Sequence, residues 1–277
     1  MAAPSGPPPG PVHDTRGIVD PAGLLSRVRF RRHRPAEPLR RHIETYWFID
    51  WDLPEPYVSH VVPHPSVNLT FQWDEAEGPP YAELTGVALG LYARRLTGRG
   101  RVCGVKFRPG GFRPYAPGHP VSHWTGRALR ADEVLPRATA ETARAVAGPS
   151  DDADRVAALD AFLLALCPAP DPRADRAMAL AERIRTDHTA RRVGDFARAQ
   201  GISVRGLQRL FADYVGITPK WAVLRCRIHE ALERAGNEAD VDWAALAAEL
   251  GYADQAHLIR DFKATVGVPP TAYTAGH

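Results

Sequence analysis

The chain has 277 residues, 44% of them hydrophobic and 24% charged, with a formal net charge of +3. That is ordinary for a soluble protein with room for two domain cores. The three cysteines, Cys103, Cys167 and Cys226, stand far apart with no Cys-x-x-Cys pair, which argues against a zinc or disulfide scaffold and fits a reducing cytoplasm. No apolar run approaches the roughly 20 residues of a membrane helix, and the N-terminal stretch has no apolar signal core.

Taken in order, residues 1–22 are rich in Pro, Gly and Ala. Pro7-Pro8-Pro9-Gly10-Pro11 cannot sustain regular hydrogen bonding, so a disordered tail is expected. Arg27 to Arg34 is a basic run, read as a solvated strand edge in preference to a DNA-binding arm. Residues 23–130 read as sheet. Tyr46 to Trp51 is aromatic and β-prone, and Val67, Leu69, Phe71 and Trp73 alternate with Asn68, Thr70 and Gln72. Val87, Leu89 and Leu91 alternate within a strand expected from Tyr81 to Tyr92. Cys103, Val105 and Phe107 lead into the turn Arg108-Pro109-Gly110-Gly111. Short strands at this spacing predict a small β-barrel or sandwich.

His60-x-x-x-His64 and His119-x-x-x-His123 have ligand-like spacing, but Pro63 and Pro120 break any helix that would align each pair. They are read as loop histidines, with no metal and no cofactor expected. Trp47, Trp51, Trp73 and Trp124 are read as core aromatics, with a ligand cavity as the alternative. No nucleophile elbow, dinucleotide loop or cysteine–histidine pairing stands out, so no catalytic residue is assigned and the chain is not read as an enzyme. Residues 131–172 turn alanine-rich. Glu141 to Ala147 and Asp152 to Cys167 are predicted helices that either pack on the β-domain or pair with a second protomer. Pro168-Ala169-Pro170-Asp171-Pro172 predicts a stiff linker and the domain boundary.

The last segment, 173–277, contains one device twice. Ser203 is a predicted N-cap, and Leu207, Leu210, Phe211 and Tyr214 recur at helical spacing. Gly216 suits the left-handed closing position, and Thr218-Pro219 opens the next helix. Fifty-one residues on, Leu207-x-Arg209-x-Phe211 returns as Leu258-x-Arg260-x-Phe262, and Gly216-Ile217-Thr218-Pro219 as Gly267-Val268-Pro269-Pro270. Ala197-x-x-x-Gly201 returns as Ala247-x-x-x-Gly251, with Asp254 taking the cap role of Ser203. Each copy reads as helix, glycine turn, helix. Between them Pro219 to Ala235, closed by Gly236, predicts a connecting helix of roughly 25 Å with Trp221, Leu224, Ile228, Ala231 and Leu232 as its apolar stripe.

Residues from about 174 to 277 resemble the DNA-binding domain of the AraC/XylS family of transcription regulators. The likeness rests on Arg227, Ala247 to Gly251-Tyr252, Leu258, Arg260, Phe262, Gly267 and Pro269-Pro270-x-x-Tyr273. It implies an all-α domain whose helices 203–215 and 254–266 read two successive major-groove segments. Base contacts would come from Arg205, Gln208 and Arg209, then from Gln255 and Arg260, with Arg191, Arg192 and Lys220 on phosphates. The residue types suit the task, because Arg pairs with guanine and Gln with adenine through two hydrogen bonds each. The second copy departs from this pattern at Ala256, which cannot hydrogen-bond, and at Ile259. Basic residues crowd the first copy, so it is expected to carry most of the binding energy.

The expected whole is an α+β chain of two domains. A cupin-like sensing domain precedes a helical segment and the double helix-turn-helix, and the last is expected to bind double-stranded DNA. A small-molecule effector, a second protomer and RNA polymerase are the further partners the resemblance admits. The alternative is a metal-dependent cupin-type enzyme fused to a DNA-binding domain.

Overall fold

The computed structural model describes residues 15, 17–76, 78–187, 192–237 and 240–274. Most of the tail expected over 1–22 lies outside these residues, but its last part is folded. Gly17 is buried, Ile18 bridges to Val61, and helix α1 (Pro21–Leu25) starts under the cap of Asp20, whose carboxylate accepts the Gly23 N–H at 2.7 Å. The cause is local: Asp-Pro is a ready N-cap followed by a first-turn proline.

Six strands form one antiparallel sheet: β1 (Val28–His33), β2 (Ile43–Val61), β3 (Asn68–Asp74), β4 (Tyr81–Thr85), β5 (Tyr92–Phe107) and β6 (Ala128–Arg130). Their order across the sheet is β1-β2-β5-β3-β4-β6. The long pair β2–β5 sets Trp47 opposite Gly104 and Trp51 opposite Gly100. A Cβ at either glycine would come within about 2.2 Å of the facing indole, so each ring lies flat over bare backbone. The polar side of β3 is also covered, with Thr70, Gln72 and Asp74 buried beside Leu69 and Phe71. Alternation therefore marks two covered faces here, not a wet one and a dry one.

The alanine-rich helices α2 (Ala140–Ala147) and α3 (Asp152–Leu166) pack on this sheet. Ala143, Val146, Leu159, Phe162 and Leu163 join Tyr46, Phe48, Phe71 and Phe107 in one core, which decides the open choice in favour of packing on the β-domain. A charged network rivets α3 down. Arg155, 2% exposed, and Arg31, 6% exposed, both reach Asp50 and Asp152, with Arg31 at 2.5 Å from each. One arginine of the basic run at 27–34 is thus a buried structural group. The opposite face of the sheet closes over Leu24, Phe30, Trp51, Leu53 and Val102. Trp124 belongs to the main core, where its ring meets Phe112 edge-on at 5.6 Å.

The strand expected from Tyr81 to Tyr92 ends at Thr85. Residues 86–91 leave the sheet because Val87 and Leu91 find apolar partners in the helical domain. That domain comprises α4 (Pro172–Thr186), α5 (Val193–Ala199), α6 (Val204–Tyr214), α7 (Pro219–Asn237), α8 (Trp243–Glu249), α9 (Gln255–Val266) and α10 (Pro270–Thr274). Helix α7 runs through Gly236, which does not close it. Gly216 and Gly267 do adopt left-handed φ of 92° and 89° at the ends of α6 and α9.

Candidate nucleic-acid interface

Helix α6 is built as its sequence demands. Ser203 Oγ accepts the Gly206 N–H at 3.0 Å, and Leu207, Leu210, Phe211 and Tyr214 are buried. Gly206 sits under Ile202 and Ser203, where a Cβ would meet the Ile202 side chain at 3.2 Å, so its bareness lets the turn close tightly. Helix α5 contributes Phe196 and Ala197 to the same core. The face left outside carries Arg205, Gln208 and Arg209, all exposed and with no side-chain partner among the described residues. Lys220, at the start of α7, and Arg192, before α5, are exposed as well. Arg191 lies outside the described residues.

Helix α9 repeats the construction. Asp254 Oδ1 accepts the His257 N–H at 2.7 Å, and Leu258, Phe262 and Val266 are buried. Phe262 meets Trp243 and Tyr273 edge-on at 5.8 and 5.9 Å. Gln255 and Arg260 are exposed and unpartnered among the described residues. Ala256 is exposed too and offers no hydrogen bond to a base edge, while Ile259 is half-buried.

Helix α7 joins the two units by belonging to both. Ala222 and Val223 lie in the core of the first unit; Ile228, Ala231, Leu232 and Ala235 lie in the core of the second. Leu224, expected in this stripe, is only half-buried. Nineteen residues make a rod of about 28 Å. Because each half is locked into a different core, the rod fixes the separation of α6 and α9 mechanically.

Several cations that a count along the sequence would assign to DNA are engaged elsewhere. Arg183 bonds Gln200, Arg198 pairs with Asp195, and Arg185 pairs with Glu182. Arg225 is buried at 6% exposure between the domains, with its guanidinium 4.5 Å from the Trp221 ring centroid. One of its nitrogens donates to Leu89 O at 2.9 Å, while Nη1 has no hydrogen-bond partner among the described residues. Burial pushes its pKa down to about 10, so it stays charged at neutral pH.

Arg225 marks a docking surface that sequence reasoning missed. Thr125 Oγ1 donates to Gly216 O at 2.5 Å, tying the 3-10 turn at Val121–Trp124 to the end of α6. The His64 ring stacks on His229 of α7 at 4.0 Å, and His229 also meets Pro63 O at 3.3 Å. Arg41 pairs with Asp175 of α4. A cleft of about 920 Å³ lies beside these contacts, bordered by Lys106 and Glu44 of the sheet and by α4 and α7. The one sequence signal for this surface was the odd hydrophobic pair Val87 and Leu91 beyond a strand's natural end. The other histidine pair, His119 and His123, stacks at 4.5 Å beside Trp124, and no group of three or more metal-ligating side chains occurs among the described residues.

Residues 31–130 match a domain of unknown function, DUF6597, and residues 196–276 match a helix-turn-helix domain. No curated protein matches the chain in sequence. Among solved structures, ToxT from Vibrio cholerae is 10% identical, over 83% of this chain and 97% of that one, with a TM-score of 0.42. A ToxT structure with an unsaturated fatty acid bound is 11% identical, over 83% and 94%, at 0.40. An AraC-type DNA-binding domain protein from Chromobacterium violaceum is 20% identical, over 35% and 94%, at 0.30. The matched domain coincides with the duplicated, capped helix pairs described above. Residues 196–276 are therefore a helix-turn-helix domain, the class of module that reads double-stranded DNA.

Proposed function

We propose that α6 and α9 enter two successive major-groove segments of one duplex. Arg205, Gln208 and Arg209 of the first helix, and Gln255 and Arg260 of the second, reach base edges, while Arg192 and Lys220 hold phosphates. The observation that carries this reading is the rod α7, whose ends lie in two different cores. A rod of about 28 Å between the two units suits helices aimed at grooves roughly 34 Å apart. The first unit supplies most of the specificity, because Ala256 and Ile259 leave α9 with fewer hydrogen-bonding groups.

Selection of binding sites from random duplexes by the purified protein tests this. The recovered sites should contain two short motifs about one helical turn apart, and inserting five base pairs between them should abolish the gain over random DNA. A single uninterrupted motif, or indifference to the insertion, would refute it.

The N-terminal domain governs this activity through the docked surface. Contacts at Gly216, Arg225 and His229 hold the reading domain against the sheet. A small-molecule effector acts by favouring either the docked or the released arrangement. The protein works in the cytoplasm on double-stranded DNA, with a second copy and RNA polymerase as its protein partners, and no catalytic step is assigned to it. Thr125→Val should raise DNA affinity if docking restrains α6 and lower it if docking orients α6; an unchanged affinity would separate the sheet domain from DNA binding.

A further inference from the structure

We propose that a groove at one end of the N-terminal sheet, distinct from the docking surface, binds a small aromatic anion carrying two or more negative charges. The groove has a volume of about 880 Å³ and lies between β1, β2, β3, β5 and the C-terminal end of α2. Its lining has five arginines against two aspartates, a local excess of three positive charges. Such a concentration on a chain of net charge +3 is costly unless an anion shares it.

The arginines differ in what holds them. Arg101 is fixed, with Nη1 donating to the carbonyls of Ala147, Gly148 and Pro149 at 2.8 to 3.1 Å and so closing the C-terminal end of α2. Desolvation and the neighbouring Arg155 push the Arg101 guanidinium below its ordinary pKa, against the pull of Asp50, whose Oδ1 lies 3.4 Å from its Nε. Arg144 is exposed and has no side-chain partner among the described residues. Arg29 is 70% exposed and its one ion pair among the described residues is to Asp152 Oδ2, at 3.7 Å. Arg99 lies 5.8 Å from the Trp73 ring centroid and opposite Asp52 in the β2–β5 pair, so its charge is held above an aromatic face with no ion pair among the described residues.

The aromatic half of the ligand follows from the walls. Trp51 is pinned by its indole N–H on Thr97 O at 3.1 Å and lies over Gly100, where any side chain would strike its ring. Trp73, half-buried, faces the same groove. Trp51 backs this wall at 4% exposure and the half-buried Trp73 supplies its accessible aromatic surface, so the guanidinium groups around it suit a flat ring bearing a phosphate ester or two carboxylates, since Arg binds both groups through paired N–H donors. An excess of three positive charges favours a dianion over a monoanion.

The full chain without DNA can be titrated by calorimetry and thermal shift with phenyl phosphate and phthalate, against inorganic phosphate and benzyl alcohol. We expect the two aromatic dianions to bind at least tenfold more tightly than inorganic phosphate, and benzyl alcohol not to bind. Arg144→Gln should weaken phenyl phosphate about tenfold while leaving the unliganded melting temperature unchanged, because that side chain has no partner to lose. Trp73→Leu should weaken phenyl phosphate without changing the affinity for inorganic phosphate. The proposal is overturned if neither aromatic dianion binds, if inorganic phosphate binds as well as phenyl phosphate, or if Arg144→Gln binds at full strength. With no DNA in the assay, failure here leaves the groove-reading proposal standing.

Discussion

Arg209→Ala isolates the contribution of α6 to recognition. The guanidinium is exposed, in the middle of a helix, with no partner among the described residues. Alanine is the best helix former, so the substitution leaves the fold intact and the loss appears in binding alone. A two-bond arginine–guanine contact discriminates by about 1–3 kcal/mol. That corresponds to a loss of about 5- to 150-fold in affinity. Arg260→Ala should cost less than about fivefold, because the exposed Ala256 and half-buried Ile259 leave α9 with a poorer grip on base edges. Fluorescence anisotropy on the selected duplex, repeated on an unrelated duplex and over a salt series, gives both numbers. A larger loss from Arg260→Ala would refute the reasoning. So would an equal loss for Arg209→Ala on both duplexes, which would make Arg209 a phosphate contact.

Three further outcomes follow from the packing. Phe211→Ala removes a fully buried ring from the first unit and should cost about 3–5 kcal/mol in denaturant unfolding. Gly216→Ala meets both a left-handed backbone and the Val121 and Thr125 side chains at 2.9 and 3.0 Å, whereas Gly267→Ala meets only Leu91 at 3.4 Å. Both should lose about 1–2 kcal/mol to the backbone, and only Gly216→Ala should also increase protease cleavage between residues 168 and 172 by loosening the docked surface. The Arg31 guanidinium, hydrogen-bonded to Asp152, holds that carboxyl below its usual range. Its stabilising contribution is therefore present above the ordinary carboxylate pKa of about 3.9 and lost as the pH falls through the lower folded value. Urea unfolding should show wild type ahead of Asp152→Asn at pH 7, with the gap closing below about pH 4.

The helical domain was largely legible in the sequence because its rules are local. A cap, an apolar stripe and a closing glycine act within a few residues, so Ser203, Leu207 to Tyr214 and Gly216 state one helix end to end, and the repeat at Asp254 to Gly267 states it again. The exposed positions Arg205, Gln208 and Arg209 followed from the same periodicity, and Gln255 and Arg260 from the family resemblance. The sheet was legible only in part. Aromatic β-propensity marked part of β2, and alternation marked β3 and the end of β5, but neither could say that both faces of β3 would be covered or that the strand from Tyr81 would stop at Thr85, since those outcomes depend on what packs from elsewhere. The fates of Arg31, Arg155 and Arg225 were likewise hidden. A charge count treats every arginine as solvated, whereas burial is decided by partners more than a hundred residues away in Arg31–Asp152, Arg155–Asp50 and Arg225–Leu89. What the sequence determined alone was whatever hydrogen bonding and periodicity settle within one turn or one strand; the tertiary structure decided which charges would be left free to meet DNA or a ligand, because only distant segments could desolvate the rest.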